Sequence, residues 1–439
     1  MKSLTLQDIT LKKIWQMLLV VLSPFISVTG VSAVPYNLRL PLIYAVGIGF
    51  VVVFLLTDIR LEFNMLTVSA LLILAYLGIS MLYSYDPSAT IRLFLLYACS
   101  FTLFFIDLPQ SYYTKIITII YVICSVIAFS ILISSVIENC MLRYFSFIVN
   151  PLHTSEVTRL INKELAIGSY SGFAREKAEA AYIMNVGIAV VLSRYFSDGK
   201  LAKKDIFMLI VFLAALMLTG KRMLFLVAIV ALAVFMLISN VKSKAFKTLC
   251  IIIIALCALF VVIMFVPKIA NIFDRFLDQD NVETIGNRDF LWKYMLMMAS
   301  EYPAFGAGFG SYNQYSYDHG LEIGGDKWSY NGHNCYLQVF AELGVAGSII
   351  FSIFVILAFV YTVKAIKKFR SERDSVYMCY FSLYIQILII VYSVTGNPVY
   401  SRQIVFIWFF SIGMVLYLNR KNKNTEQLPN KYKLRRRSI

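Results

Sequence analysis

Charged side chains are scarce in this sequence. Lys, Arg, Asp and Glu together make up 15% of its 439 residues, whereas soluble domains usually contain about 25%. Apolar residues make up 59%, and the mean hydropathy is +0.74. These values exclude a soluble multidomain protein, a disordered chain and a secreted disulfide scaffold. Long uncharged apolar runs recur along the chain, which predicts an all-α polytopic membrane protein rather than a β-barrel or a single-span protein.

The patterns of common cofactor and metal sites are also lacking. The sequence contains no Walker A loop, no dinucleotide-binding fingerprint, no HExxH and no GxSxG. It has only three His, and its seven Cys form no CxxC pair. No cofactor and no metal is therefore predicted. Cys140 and Cys335 both fall in polar-flanked stretches on one predicted side of the membrane, and a bridge between them is left open.

Twelve apolar segments have roughly the length that a membrane span needs. The first is interpreted as a retained helix rather than a cleaved signal peptide, and no internal repeat is visible. We predict a single integral membrane domain over residues 1–439. The twelve segments lie near residues 13–33, 38–57, 64–83, 90–106, 114–137, 180–197, 205–219, 222–239, 248–267, 335–363, 376–395 and 402–418.

The distribution of charge predicts how these segments are oriented. With both termini in the cytoplasm, the cytoplasmic segments hold 25 of the 40 Lys and Arg but only 9 of the 25 acids. Lys and Arg accumulate in cytoplasmic loops, so this orientation is favoured, and the tail 419–439 becomes a basic cytoplasmic tail. The basic balance thus reflects topology, and no nucleic-acid partner is predicted.

Two long segments remain on the outer side, at 138–179 and 268–334. Loops of this length are usually functional or disordered, and these carry patterns of order. Residues 155–166 and 287–301 each place apolar side chains on one helical face, so both are predicted as helices at the membrane surface. The rest of the second loop, 303–334, is rich in Gly, Tyr, Asn and Ser. We predict an ordered aromatic loop there, with a tight turn at Gly306–Gly310.

Basic residues on the outer side are the most informative exceptions to the charge rule. Lys221 and Arg222 lie in a minimal outer turn, Arg175 precedes the sixth span, and Arg288 begins the helix of the second loop. Guanidinium groups bind phosphate oxygens in a bidentate manner, so clustered outer arginines suit an anionic lipid headgroup. Snorkelling of long side chains to the headgroups is the alternative.

Two further residues are candidates for chemistry at the outer boundary. His333 ends the polar loop immediately before an apolar helix, where a neutral imidazole can accept a proton. His319 and His153 have weaker contexts. Glu342 is an acid inside the tenth span, and intramembrane acids are functional candidates by default. The alternative for Glu342 is a hydrogen bond to a neighbouring helix.

The residues around His333 resemble the sequence signature of a known family. His333-Asn334, followed after nine residues by Gly344 and after two more by Gly347, resembles the His-Asn-x9-Gly-x-x-Gly signature of bacterial O-antigen ligases and O-antigen polymerases. Lys221 departs from the family, in which many members have Ser before the arginine of this turn. Other blocks are also similar: Gly286-Asn287-Arg288, Trp292, Pro303, Gly306-x-Gly308-x-Gly310, Thr219 with Arg222, and loosely Ser171–Lys177.

The resemblance implies a metal-independent glycosyltransferase of the bacterial inner membrane with its active site facing the periplasm. Its donor would be an oligosaccharide linked to undecaprenyl diphosphate. By position in the motifs, His333 is expected to be the catalytic histidine, with Arg222 and Arg288 at the diphosphate. Arg175 is also carried over by the resemblance as a substrate-binding residue. Lys221, Asn334, Glu342, Tyr312 and Trp328 are expected to bind substrate from their own chemistry and their position at the outer boundary, and not from the family.

The aromatic side chains of the second outer loop admit two readings. Tyr312, Tyr315, Tyr317, Trp328 and Tyr330 either stack on sugar faces or form an interfacial aromatic belt. The bundle itself would contact membrane lipids and the polyprenyl tail of the donor.

Four functions remain compatible with this sequence and layout. A polymerase would transfer the growing glycan to a carrier-linked repeat unit, and is the first choice. A ligase would transfer it to the lipid A core. A lipid-linked glycan flippase or other transporter is a non-enzyme alternative, disfavoured because the unusual polar residues lie at one face rather than at the midplane. A chain-length regulator and a flippase are the expected protein partners of a polymerase. A protein O-oligosaccharyltransferase is a fourth, minor hypothesis.

The predicted topology can be tested with reporter fusions. A periplasm-active reporter fused after residue 320 should be active, and the same reporter fused after residue 370 should be inactive, because the second site lies in a basic loop. The expression level of each fusion protein is measured, so that an inactive reporter is not confused with a poorly expressed one. The reversed pattern would contradict the orientation of both outer loops.

Overall fold

The computed structural model describes Lys13 and residues 63–150, 155–166, 168–174, 176–200, 202–239, 283–323, 326–327 and 331–426. These residues fold into an all-α bundle with one short antiparallel hairpin, β1 (Glu322–Ile323) and β2 (Asp326–Lys327). Short 3-10 turns occur at Thr102–Phe104 and Pro398–Tyr400. The described helices are α1 (Met65–Ser80), α2 (Pro87–Phe101), α3 (Gln110–Val136), α4 (Cys140–Tyr144), α5 (Ser146–Val149), α6 (Ser155–Ala166), α7 (Lys177–Asp198), α8 (Lys203–Leu218), α9 (Arg222–Ser239), α10 (Glu283–Glu301), α11 (Tyr312–Asp318), α12 (Cys335–Lys368), α13 (Arg373–Tyr392) and α14 (Arg402–Glu426).

Nine of the twelve predicted spans correspond to helices in the described part of the chain. Seven of these helices, counting α2 with its 3-10 extension, are long and apolar enough to cross a membrane. The other two, α1 and α8, are shorter, with 16 residues each. The predicted spans at 13–33 (apart from Lys13), 38–57 and 248–267 lie outside the described residues. The chain is therefore an all-α polytopic membrane protein.

The centre of the bundle is formed by α7, α13 and α14, which are buried over most of their length. Small residues on α7 permit this close packing. A Cβ built on Gly187 would lie 2.6 Å from the ring of Phe212 on α8. Small residues at helix interfaces let the backbones approach closely, which is how membrane helices associate.

One end of the bundle is held by charged residues. Arg373 at the start of α13 pairs with Asp198 at the end of α7. Arg194 lies 3.0 Å from Asp205. Arg420 donates a hydrogen bond to the carbonyl of Phe104 at 2.7 Å. We call this end, which carries residues 199–200 and 369–372, the basic end.

The opposite end, which we call the loop end, carries residues 81–86, 219–221, 393–401 and the described part of 302–334. Hydrogen bonds show that its segments lie together. The Tyr85 backbone N–H donates to Ala307 O at 2.8 Å, and the Gln403 side-chain amide donates to the Glu179 carboxylate at 2.6 Å. Residues 155–166 and 287–301, which the sequence predicts to be helical, lie in α6 and α10. Cys140 and Cys335 are both free thiols.

The helix α12 is broken at Gly344, where φ is 63° and ψ is −169°. A Cβ on Gly344 would lie 2.5 Å from the backbone nitrogen of Gly306. Because the helix is open here, Val345 N–H donates to Pro303 O at 3.0 Å. The glycine-rich loop after α10 thus docks directly on the break in α12.

Tyr76 of α1 seals the same junction. Its single hydroxyl hydrogen is shared between two carbonyl oxygens, Leu343 O at 2.7 Å and Phe305 O at 3.0 Å. A Cβ on Gly347 would lie 2.5 Å from the Tyr76 ring. The two glycines that follow the His-Asn pair therefore serve close packing: Gly344 opens the helix and Gly347 admits the tyrosine.

The docking of the glycine-rich loop predicts a difference between two Gly→Ala variants. Gly306 (φ 73°) would place a Cβ 2.2 Å from Glu342 O, whereas Gly320 (φ 79°) has nothing within 4 Å. Gly320→Ala should cost only the strain of a left-handed residue, about 1–2 kcal/mol. Gly306→Ala should cost about 1–3 kcal/mol more through overpacking. Thermal unfolding in detergent measures the stability of both variants. Equal melting temperatures would contradict the close approach of Gly306 to the backbone of Glu342.

Candidate functional site

His333 lies at the loop end in an unusual backbone conformation. Its φ is 51°, one of two positive values at non-glycine residues among those described. Its side chain is partly exposed. It immediately precedes Asn334, whose side chain accepts a hydrogen bond from Leu337 N–H at 3.1 Å and caps α12. Asn334 therefore has a local structural task, namely to begin the helix directly after the histidine.

The backbone on both sides of His333 is held by hydrogen bonds. Upstream, Gly332 N–H donates to Gln338 Oε1 at 3.0 Å. Downstream, Cys335 N–H donates to Ser393 O at 2.9 Å. A sparsely populated conformation persists only where its surroundings determine it, and these two bonds provide that restraint.

Glu342 is fully buried and receives four hydrogen bonds. Gly310 N–H donates to Oε2 at 2.7 Å and Tyr312 N–H to Oε1 at 3.1 Å. Gln338 Nε2 donates to Oε1 at 2.9 Å, and the Tyr400 hydroxyl donates to Oε2 at 2.7 Å. An ionised carboxylate only accepts, so four donors match it well.

This geometry gives Glu342 a structural role, whereas the expectation from sequence was that it binds substrate. Its oxygens are engaged by protein donors, and its side chain has no exposed surface. It joins three segments of the loop end: the glycine-rich loop, α12 and the 3-10 turn Pro398–Tyr400. The alternative noted from sequence was a hydrogen bond to a neighbouring helix. The observed donors lie on the glycine-rich loop, the start of α11, α12 itself and the 3-10 turn.

Tyr312 likewise occupies a different environment from the one expected. It is 0% exposed, and its hydroxyl donates to Leu291 O at 2.9 Å. Burial raises the pKa of this hydroxyl, which keeps it a donor. The ring belongs to a buried cluster with Met295 and Met298 of α10 and Ala341 of α12, so it presents no face to a sugar. The apolar pattern of the loop reflects a small core of its own.

The remaining aromatic residues of this loop divide into two groups. Tyr315 is also 0% exposed, and its ring stacks on His319 at 3.9 Å between centroids. Tyr317 is 42% exposed and keeps a face toward the surroundings. Trp328 and Tyr330 lie outside the described residues.

Lys221 and Arg222 occupy a tight turn at the loop end, as the sequence predicts. Gly220 takes φ 68° and its N–H donates to Met217 O at 2.9 Å. The Thr219 hydroxyl is buried against Leu216 O at 2.6 Å. Arg222 begins α9 with an exposed side chain, and Lys221 is partly exposed. The turn therefore presents two basic side chains at the end that carries His333.

Asn185 of α7 holds the start of α9, the helix that begins at Arg222. Its role was not predicted from the sequence. Its amide donates to Leu224 O at 3.0 Å, and it accepts from the Tyr384 hydroxyl at 2.8 Å. These bonds tie the first turn of α9 to α7 and α13. A lone amide in an apolar helix is the signal that could have found it, because buried polar groups need partners.

The other predicted arginines are only partly placed. Arg288 lies on α10, and the position of its side chain is outside the described part of the chain. Arg175 lies outside the described residues altogether. The helix α10 passes close to His333: a Cβ on Gly332 would lie 2.4 Å from Met295 Sδ. Over the described ranges, no group of three or more His, Cys, Asp or Glu side chains could hold a metal ion.

Comparison with known proteins supports the resemblance. Residues 207–352 match the model of the O-antigen ligase family. This range covers most of α8, the Arg222 turn, α10, the glycine-rich loop, His333 and the break in α12. No curated protein matches the sequence. The matched range includes both the Arg222 turn and His333.

The left-handed conformation of His333 can be tested by stability alone. His333→Gly and His333→Ala both remove the imidazole, but only alanine retains the strain of positive φ. The glycine variant should therefore be more stable than the alanine variant by about 1 kcal/mol. Thermal unfolding in detergent compares them. A more stable alanine variant would show that this position is not left-handed.

Proposed function

We propose that the protein is a glycosyltransferase that moves a glycan from undecaprenyl diphosphate to an acceptor hydroxyl at the loop end. The observation that carries this proposal is the co-location of the Arg222 turn and the His333 loop at one end of an apolar bundle, within the segment that matches the family. The proposed location is the bacterial inner membrane, with the loop end facing the periplasm and both termini in the cytoplasm.

In the proposed reaction His333 is the general base. It accepts the proton of the acceptor hydroxyl as that oxygen attacks the anomeric carbon of the donor sugar. The bond between this carbon and the diphosphate oxygen breaks, a glycosidic bond forms, and undecaprenyl diphosphate leaves with its negative charge. A diphosphate is a good leaving group, so the reaction needs stabilisation of charge more than a general acid.

Arginine supplies that stabilisation in the proposal, without a metal. Arg222 is exposed at the start of α9, where the helix dipole adds a further positive potential. Arg288 and Arg175 are proposed to join it at the diphosphate, and Lys221 is proposed as an auxiliary point charge. Preorganised donors aimed at developing charge are often the largest contribution to catalysis.

The polyprenyl tail of the donor is proposed to lie along an apolar face of the bundle. Beyond the break at Gly344, α12 carries an exposed stripe formed by Ile349, Ile353 and Ile356. These residues are spaced along one helical face. The stripe runs along α12 away from the break at Gly344 and toward the basic end. A tail attached to a diphosphate at the loop end is proposed to take this direction.

The first proposed acceptor is a carrier-linked repeat unit, which would make the protein a polymerase that works with a flippase and a chain-length regulator. The second is the lipid A core, which the description of the matched family as an O-antigen ligase favours. The glycan of a deletion strain separates the two. A polymerase deletion leaves lipid A capped by a single repeat unit, whereas a ligase deletion leaves bare core and accumulates carrier-linked polymer.

The proposal is tested with the purified full-length protein in nanodiscs, supplied with undecaprenyl diphosphate-linked oligosaccharide in excess EDTA. His333→Ala should lower turnover by about 10²–10⁴-fold with donor affinity retained, because a general base acts in the transition state. Hydrogen bonds to charged groups contribute about 1.5–3 kcal/mol, so Arg222→Ala should weaken donor binding by about 10- to 100-fold. Arg222→Lys should retain part of both.

Lys221→Ala is the matched control, because it removes a neighbouring positive charge without the bidentate fork. It should cost less than Arg222→Ala. Normal turnover of His333→Ala, or unaltered donor affinity of Arg222→Ala, would contradict the assigned roles. Activity that EDTA abolishes and magnesium restores would contradict a reaction without metal.

A further inference from the structure

We propose that Gln338 is a positioning residue for His333, which it orients through the backbone of Gly332. This inference rests on the proposed function, because it assumes that the imidazole of His333 acts in the reaction. Gln338 lies on the first turn of α12 and is only 1% exposed, too little to bind substrate directly. Its influence must therefore pass through other residues.

The side-chain amide of Gln338 forms hydrogen bonds through both its oxygen and its nitrogen. Its Oε1 accepts from Gly332 N–H at 3.0 Å and also from the Asn397 amide. Its Nε2 donates to Glu342 Oε1 at 2.9 Å. One amide thus links the residue before His333 to the loop 393–401 and to the buried carboxylate.

The orientation of this amide is determined by Glu342. A carboxylate that receives four donors only accepts, so Nε2 of Gln338 must face it and Oε1 must face Gly332. A flipped amide would set Nε2 against the N–H groups of Gly332 and Asn397. The acceptor for Gly332 is therefore placed correctly only while Glu342 is in position.

The same arrangement restrains His333 itself. The residue has φ 51°, and its neighbours Gly332 and Cys335 are each held by one hydrogen bond. Without the acceptor on Gln338, the upstream restraint is lost and the chain can relax from the left-handed conformation. The imidazole would then leave the orientation that its backbone imposes, while the Arg222 turn on α9 would be unaffected.

The test uses Gln338→Met, which keeps the length of the side chain and removes both polar atoms. In the purified full-length protein, turnover should fall by about 10- to 100-fold, as expected when a reacting group is displaced by about 1 Å. The KM for the carrier-linked donor should stay within about twofold of the wild-type value, because the diphosphate site is intact. Unchanged turnover would overturn the proposal.

Gln386→Met is the matched control. Gln386 is also buried, and its amide donates to Thr362 and Ser382 within the bundle. The same chemical change there should lower stability without the selective loss of turnover.

If Gln338→Met fails to fold, Gln338→Asn replaces it, because the shorter asparagine side chain cannot reach both Gly332 and Glu342. Normal turnover of that variant would equally reject the inference.

A double variant distinguishes positioning from an independent structural role. Gln338→Met added to His333→Ala should cause no further loss, because Gln338 acts only through the imidazole. A multiplicative further loss would overturn the inference. If His333→Ala alone retains normal turnover, the proposed function fails; if His333→Ala is inactive and Gln338→Met is normal, only the positioning role fails.

Discussion

The loop end of this protein depends on one buried carboxylate, that of Glu342. A charge removed from water is costly unless hydrogen bonds replace the lost hydration. Here two backbone amides, one side-chain amide and one hydroxyl replace it. These donors come from three segments that are far apart in sequence, so satisfying the carboxylate requires that the segments meet. Gly306 permits the close approach of the loop to the backbone of Glu342, and Gly308 and Gly310 also take positive φ in the same loop.

Much of the bundle could be predicted from hydropathy, because each span is long and apolar by itself. The same reasoning found α6 and α10 through their helical periodicity. It did not find α11, the hairpin or the break at Gly344, because these depend on contacts between distant segments rather than on local pattern. Gly344 illustrates the difference: its sequence context is that of a continuous helix, and only the docked loop explains why the helix opens there.

The candidate site was predicted unevenly for a related reason. The motif and the charge pattern identified His333 and Arg222, which both lie at the loop end. Glu342 and Tyr312 were expected to bind substrate, yet both are buried and engaged by protein partners. Gln338 was missed, because an amide within an apolar helix looks unremarkable until its partners are known. Residue type and spacing thus indicated where the site lies. Only the fold separates the residues exposed at the site from the buried residues that hold the loop end together.

The central claim is that donor chemistry takes place at the loop end, between the Arg222 turn and His333. A cryo-EM structure of the full-length protein in nanodiscs with an undecaprenyl diphosphate-linked oligosaccharide tests this most directly. The account predicts diphosphate density at Arg222, with the first sugar directed toward His333 and the tail descending along the bundle. Diphosphate density at the basic end, beside residues 199–200 and 369–372, would contradict it.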